Sequence, residues 1–358
     1  MTPRERIITA LSHKEPDIVP FSLGFGINYP AKKALAEYMN MDIGELDALL
    51  QSLTDIRHVG PRYIGPSDRN KKLSDDGTYI DMWGVKRSPV HNEKDTYMEI
   101  SEYPLQNLET IAELEDYIFP DVSWFDFSVI PEQIEAHKRT GDYAIMMGNA
   151  NIFETSWYMR GLENMFENLL TEKDYVHFLM NKVTEFFTAY FQKALEAADG
   201  KIDLAFTADD IGSQNDLLIS LPLWEEMIKP YHKRLNKIIH EYGARIIYHS
   251  DGAVMKAVDG LMDMGIDVLE ALQFDATGMN PAELKAKAGD RLSFHGGVSV
   301  QSTLPFGTPE EVEAEVKEHI KILGRNGGYI LAPSHAIQAG TPPENTYAFL
   351  KATGRLNQ

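Results

Sequence analysis

A repeated beat constrains this chain more than any other feature: short apolar runs, each followed by a stretch with helical periodicity. In the second half, "IDLAFTADD" (202–210) precedes a helical segment at 222–242, and "ARIIYHSDG" precedes one at 253–265. The runs "IDVLEAL" (266–272), "RLSFHGG" (291–297) and "GYILAPSH" (328–335) continue the pattern, separated by "NPAELKAKAG" and "TPEEVEAEVKEHIKILGRNGG". Short β-type runs alternating with amphipathic helices that end in glycine build parallel sheets. The first half adds "DIVPFSLG" (17–24), "DIRHVGPRY" (55–63) and "DYAIMMGN" (142–149), which makes eight runs. Eight βα units in 358 residues predict an α/β chain closed as a (β/α)8 TIM barrel, with N-terminal helices, in one domain over 1–358. Between 64 and 130 the beat breaks. "DDGTYIDMWGVKRSPV" reads as a hairpin and "PDVSWFDF" as an aromatic loop, which predicts an insertion covering one end of the barrel.

The strand ends are unusually polar. Active sites of such barrels lie at the C-terminal ends of the strands. Here those ends read "MMGNANIFE" (146–154), "TADD" (207–210), "YHSD" (248–251), "FHGG" (294–297) and "APSH" (332–335). Asn149, Asp209, Asp210, His249, Asp251, His295 and His335 therefore fall on one rim. Helix capping accounts for Asn and Asp at such places, and Asp251 in particular is placed to cap the helix 253–265. Three of the eleven histidines at the ends of three different strands are harder to assign to capping. His249 and Asp251, two apart, share a face if the strand stays extended. Of the adjacent pair Asp209 and Asp210, one must face away.

Composition narrows the chemistry. With no cysteine, a transition-metal site must use His, Asp and Glu. A formal charge of −20 argues against a nucleic-acid partner. No apolar run approaches the length of a membrane helix, and "MTPRERIITALSHKEP" lacks the marks of a signal peptide. A cytoplasmic location with no membrane partner is the expectation.

These motifs resemble the uroporphyrinogen decarboxylase superfamily, and especially its corrinoid-dependent methyltransferase branch. The resemblance runs from "TPRERIITALSHKEPDIVPF" to "GTPPENTYAFL". It is sharpest in "DDIGSQNDLLISLPLWEEMIKPYHKRL" (209–235), "HSDG" (249–252), "HGGVSVQSTLPFGTPEEV" (295–312) and "LAPSHAIQAGTPPEN" (331–345). It implies a (β/α)8 barrel, in agreement with the count of runs. Methyltransferases of that branch hold zinc on a His-x-Cys pair and a later Cys. The pair falls on His249 and Asp251, and the later Cys on His335. Both cysteines are replaced, each by a residue that can itself ligate a metal.

The resemblance thus implies a zinc or other divalent-metal site on His249, Asp251 and His335. It implies a methyl group moving between a small methylated substrate, or a methyl acceptor, and a corrinoid carried by a partner protein. Two neutral imidazoles and one carboxylate leave a divalent ion one positive charge, which favours an oxygen substrate such as a methyl ether. Glu154, just past a strand end, is placed as a fourth ligand or a proton donor. Asp209 and His295 are assigned to catalysis, and Asn149 and Gln338 to cofactor contact. The decarboxylase branch carries an Arg-rich stretch after the first strand, whereas residues 15 through 31 here contain no Arg or Lys. Tetrapyrrole decarboxylation and non-catalytic corrinoid or tetrapyrrole binding stay open as alternatives. So does the oligomeric state, a homodimer included.

Overall fold

The computed structural model describes residues 1–93 and 96–356. Its centre is a seven-stranded, all-parallel sheet with the strands in chain order. The strands are β1 (Ile56–His58), β2 (Ala144–Asn151), β3 (Leu204–Ala208), β4 (Arg245–His249), β5 (Val268–Ala271), β6 (Ser293–Val298) and β7 (Tyr329–Pro333). Helices follow the strands as the beat predicts, and the sheet curls in the manner of a TIM-like barrel.

Seven of the eight expected runs are strands; the run 17–24 is the exception. It makes one parallel bridge, from Phe21 to Leu331 of β7. The amides of Ser22 and Leu331 donate to Leu331 and Pro20 carbonyls at 3.0 and 2.8 Å, and the Asp55 amide donates to the Phe21 carbonyl at 2.9 Å. The segment thus touches the elements at both edges of the sheet without forming a ladder. The cause is local. Pro20 has no amide to donate, and Gly24 at φ 54° turns the chain out of the extended region. The run 55–63 also shortens. After Gly60 and Pro61 the chain leaves the sheet, and Arg62–Tyr63 pair with Phe125–Asp126 instead.

Two helices differ from expectation. The segment 222–242 is two helices, Leu221–Met227 and Lys229–Glu241, broken where Pro230 can supply no amide. The segment 253–265 is helical only from Met255, first as a 3₁₀ turn and then as Val258–Met264. The expected hairpin forms within a four-stranded antiparallel sheet spanning Lys71–Lys72 to Thr96–Glu102. Its buried Trp83 packs against Phe186 with ring centroids 5.0 Å apart.

The sheet interior has two layers. Ile56, Ala144, Met146, Leu204, Ile247, Val268 and Ile330 form an apolar cluster with Ile7 and Leu11 of the first helix, Pro3–Leu11. Two residues further along three of these strands stand His58, His249 and Glu270. Alternate strand positions share a face, so the polar layer lies directly above the apolar one, at the C-terminal ends.

Candidate functional site

Strand register assembles the polar layer. Glu270 on β5 is the register partner of His249 on β4 and of His295 on β6, so the three stand side by side. All three are almost fully buried. Nδ1 of His249 donates to Glu270 Oε2. Glu270 Oε1 lies 3.7 Å from Nδ1 of His295, whose Nε2 is 2.7 Å from the Ser22 hydroxyl. Burial alone would raise the Glu270 carboxyl, but His249 and His295 outweigh it and hold it below the ordinary range. Burial opposes charge on His249 as well, yet Glu270 pushes it up to about 10.

His249, Asp251 and His335 come together. Each offers one ligand atom, and these atoms all lie within 4.8 Å of one another. Asp251 is not a helix cap: the following 3₁₀ turn and helix have Val254 and Ala257 at their N-caps. Its amide donates to Asp210 Oδ1 at 2.8 Å, and its carboxylate has no hydrogen-bond donor among the described residues. Burial pushes the Asp251 carboxyl up, against the pull of His249 and His335. The turn holding it is tight. Gly252 sits at φ 85°, and a Cβ there would come within 2.6 Å of the Gly212 and Ser213 backbone. Over this group lies Phe25, its ring 4.9 Å from that of His249 and 4.8 Å from that of His335.

The adjacent aspartates part company. Asp209, wholly buried, accepts the backbone amides of Phe153 and Glu154 at 2.8 Å each and pairs with Nε2 of His232. Its oxygens accept from the start of the helix Ile152–Arg160, which it anchors. Asp210 is the member that reaches the site, 3.6 Å from His249 Nε2.

The remaining expected residues are more dispersed. Glu154 lies outside the three-ligand group. Its oxygens accept from Asn151 at 2.5 Å and Tyr158 at 2.8 Å. Burial, then Asp209 and Asp210, push it up to about 7. Tyr158 in turn carries the Arg87 guanidinium 4.8 Å from its ring centre, which links the antiparallel sheet to Glu154. Asn149 lines a cavity of about 600 Å³ together with Ser22, Phe25, Glu270 and His295. Gln338 accepts from the Asn28 side chain at 2.5 Å and ties the loop after β7 to the segment carrying Phe25.

Sequence reading missed Glu270, Ser22 and Phe25. Glu270 left a signal, a lone carboxylate inside the apolar run "IDVLEAL". Ser22 and Phe25 left none, because their partners lie on other strands.

Donor chemistry suits a metal. Glu270 engages Nδ1 of His249 and leaves Nε2 for an ion, the usual arrangement of a metal-bound imidazole. Two imidazoles and a carboxylate with an open position are a known zinc donor set.

The family model for uroporphyrinogen decarboxylase (URO-D) matches residues 2–356. A methylated-thiol–coenzyme M methyltransferase of Methanosarcina mazei is 30% identical over 200 residues, covering 56% of this chain and 50% of that protein. A uroporphyrinogen decarboxylase of Psychromonas ingrahamii is 29% identical over 100 residues, covering 28% of this chain and 27% of the relative. The matched stretches thus span half or less of these relatives' own lengths. A solved methyltransferase structure from Methanosarcina mazei aligns over 100% of both chains with a TM-score of 0.66 at 20% identity, which shows a shared fold. The match to the family model over nearly every residue, on a parallel sheet with its polar layer at the strand ends, establishes that the chain belongs to the uroporphyrinogen decarboxylase family.

Proposed function

We propose that the protein is a metal-dependent methyltransferase that moves a methyl group between a small substrate and a corrinoid protein. One observation carries this reading: His249, Asp251 and His335 meet within 4.8 Å, at the positions where the resemblance puts metal ligands. The similarity to a methylated-thiol–coenzyme M methyltransferase supports the same class.

His249, Asp251 and His335 would hold a divalent ion, zinc first, with Glu270 fixing the ring of His249. A divalent ion there supplies Lewis acidity toward a substrate heteroatom. The chain supplies the rest. Glu154, pushed up to about 7, holds or releases a proton near neutrality. Phe25, half-exposed, and the apolar cavity wall flank the ligands. The corrinoid partner docks over the strand ends.

The surroundings revise one expectation. Counting ligands alone leaves the ion one positive charge, but Asp210 and Glu270 both stand against His249. Three carboxylates against a divalent ion make the neighbourhood net negative, so the ion is a milder Lewis acid than its ligands suggest.

Decarboxylation of a polycarboxylate finds no fork of arginines. The one arginine lining the cavity, Arg57, spends its terminal nitrogens on Gln51, Thr54 and Ile56 oxygens. The test is anaerobic incubation of zinc-loaded protein with cob(I)alamin and a panel of methyl ethers and thioethers. Methylcobalamin formation with any member, lost in His249→Ala, is the expected result. Coproporphyrinogen formation from uroporphyrinogen, with no methyl transfer, would overturn the reading.

A further inference from the structure

We propose that the cavity of about 600 Å³ beside the metal ligands selects a neutral substrate and rejects carboxylated or sulfonated ones. The inference rests on the methyl-transfer reading only for the identity of the cavity as the substrate site.

The cavity meets the metal ligands through shared walls. Phe25, Phe206 and Glu270 all line it, and all three contact His249, by ring packing or by hydrogen bond. Its remaining walls are largely apolar, with Ile27, Leu50, Ile56 and Met146 among them.

Its lysine and its arginine are already paired. Lys32 is paired with Asp47 at 2.7 Å. Arg57 gives four hydrogen bonds to oxygens of its own chain segment and stacks 3.5 Å from the Tyr143 ring centre. His58 and His295 are both pushed below the ordinary imidazole value, by loss of hydration first. The acceptor left without a hydrogen bond among the described residues is a carboxylate oxygen: Oε1 of the fully buried Glu270, with His295 Nδ1 at 3.7 Å. A carboxylate or sulfonate brought here loses its hydration, meets no unpaired lysine or arginine and faces that oxygen. A divalent ion on His249, Asp251 and His335 is already outweighed by Asp251, Asp210 and Glu270. Burying an uncompensated charge is strongly unfavourable. A neutral molecule loses only weak hydration, and a hydroxyl or amide on it finds Ser22, Asn149 or Glu270 Oε1 as partner.

Lys32 makes the idea testable, because removing its partner frees a cation at the cavity wall. The probes are 3-methoxybenzamide and 3-methoxybenzoate, close in shape and different in charge, titrated calorimetrically into zinc-loaded protein at neutral pH. The amide is expected to bind at least about tenfold more tightly in the wild type. In Asp47→Asn the gap should narrow by about threefold or more, through better binding of the benzoate. Equal or tighter binding of the benzoate to the wild type would overturn the inference, and so would failure of both probes to bind. A gap unchanged in Asp47→Asn would overturn the part given to Lys32 and Asp47. Failure of the methyl-transfer reading shows separately, as absent metal or absent methyl transfer, and leaves a measured charge preference standing.

Discussion

The two layers of the sheet interior are built from the same strands and do opposite things. Ile56, Ile247 and Val268 belong to the lower layer, which is apolar and sealed by Ile7 and Leu11. His58, His249 and Glu270, two residues further on, belong to the upper layer, with His295 beside them. The lower layer contributes burial, roughly 1.5–3 kcal/mol for each large side chain. The upper layer costs free energy, because Glu270 and His249 are charged or polar and nearly waterless. They persist because each satisfies the other. The difference teaches that this fold keeps stability and chemistry on one face by stacking them along the strand.

The comparison breaks most sharply in the upper layer. His249→Ala and His335→Ala should each abolish stoichiometric metal binding, read by elemental analysis against a wild type holding about one divalent ion per chain. Equal metal in all three proteins would remove the metal from the upper layer altogether. The lower layer should show the converse. Ile247→Ala is expected to lose about 2–5 kcal/mol in denaturant unfolding and keep its metal. A variant that lost both together would mean that the layers are one unit.

Between the two lies Glu270, which belongs to the upper layer, lines the cavity and orients the ring of His249. Glu270→Gln should weaken zinc roughly 10–100-fold, measured by competition with a chromogenic chelator, with the fold intact by circular dichroism. Unchanged affinity would mean that the bond from His249 to Glu270 does not tune the metal.

The smallest effect concerns Glu154. Its folded pKa, about 7, lies above the ordinary carboxyl value, so the native state holds that proton more firmly than the unfolded chain does. Stability should therefore fall as pH rises from the ordinary carboxyl range toward about 7. Glu154→Gln should flatten that slope in urea titrations. An identical slope in both proteins would place the effect on other carboxylates.

Much of this architecture is legible in the chain. The alternation of apolar runs and helices marks seven strands, because each strand carries its own hydrophobic signal locally. The absence of cysteine restricts metal donors to His, Asp and Glu, and His249, Asp251 and His335 stand out at strand ends. The eighth run was misread, since an apolar stretch with Pro20 and Gly24 cannot show from sequence whether it will pair. Asp251 read equally well as a helix cap, and only the late start of the next helix leaves its carboxylate open.

What the sequence determined by itself is the order of the elements and the inventory of donors, because period-two patterning and residue type are properties of the chain alone. What tertiary structure decided is the use of each donor. Asp209 and Asp210 are neighbours of the same chemistry, yet one anchors a helix and the other faces His249. Glu270 becomes the partner of two histidines only through the register of three strands. A carboxylate's role is set by the donors and charges it meets, and here those come from strands tens of residues away.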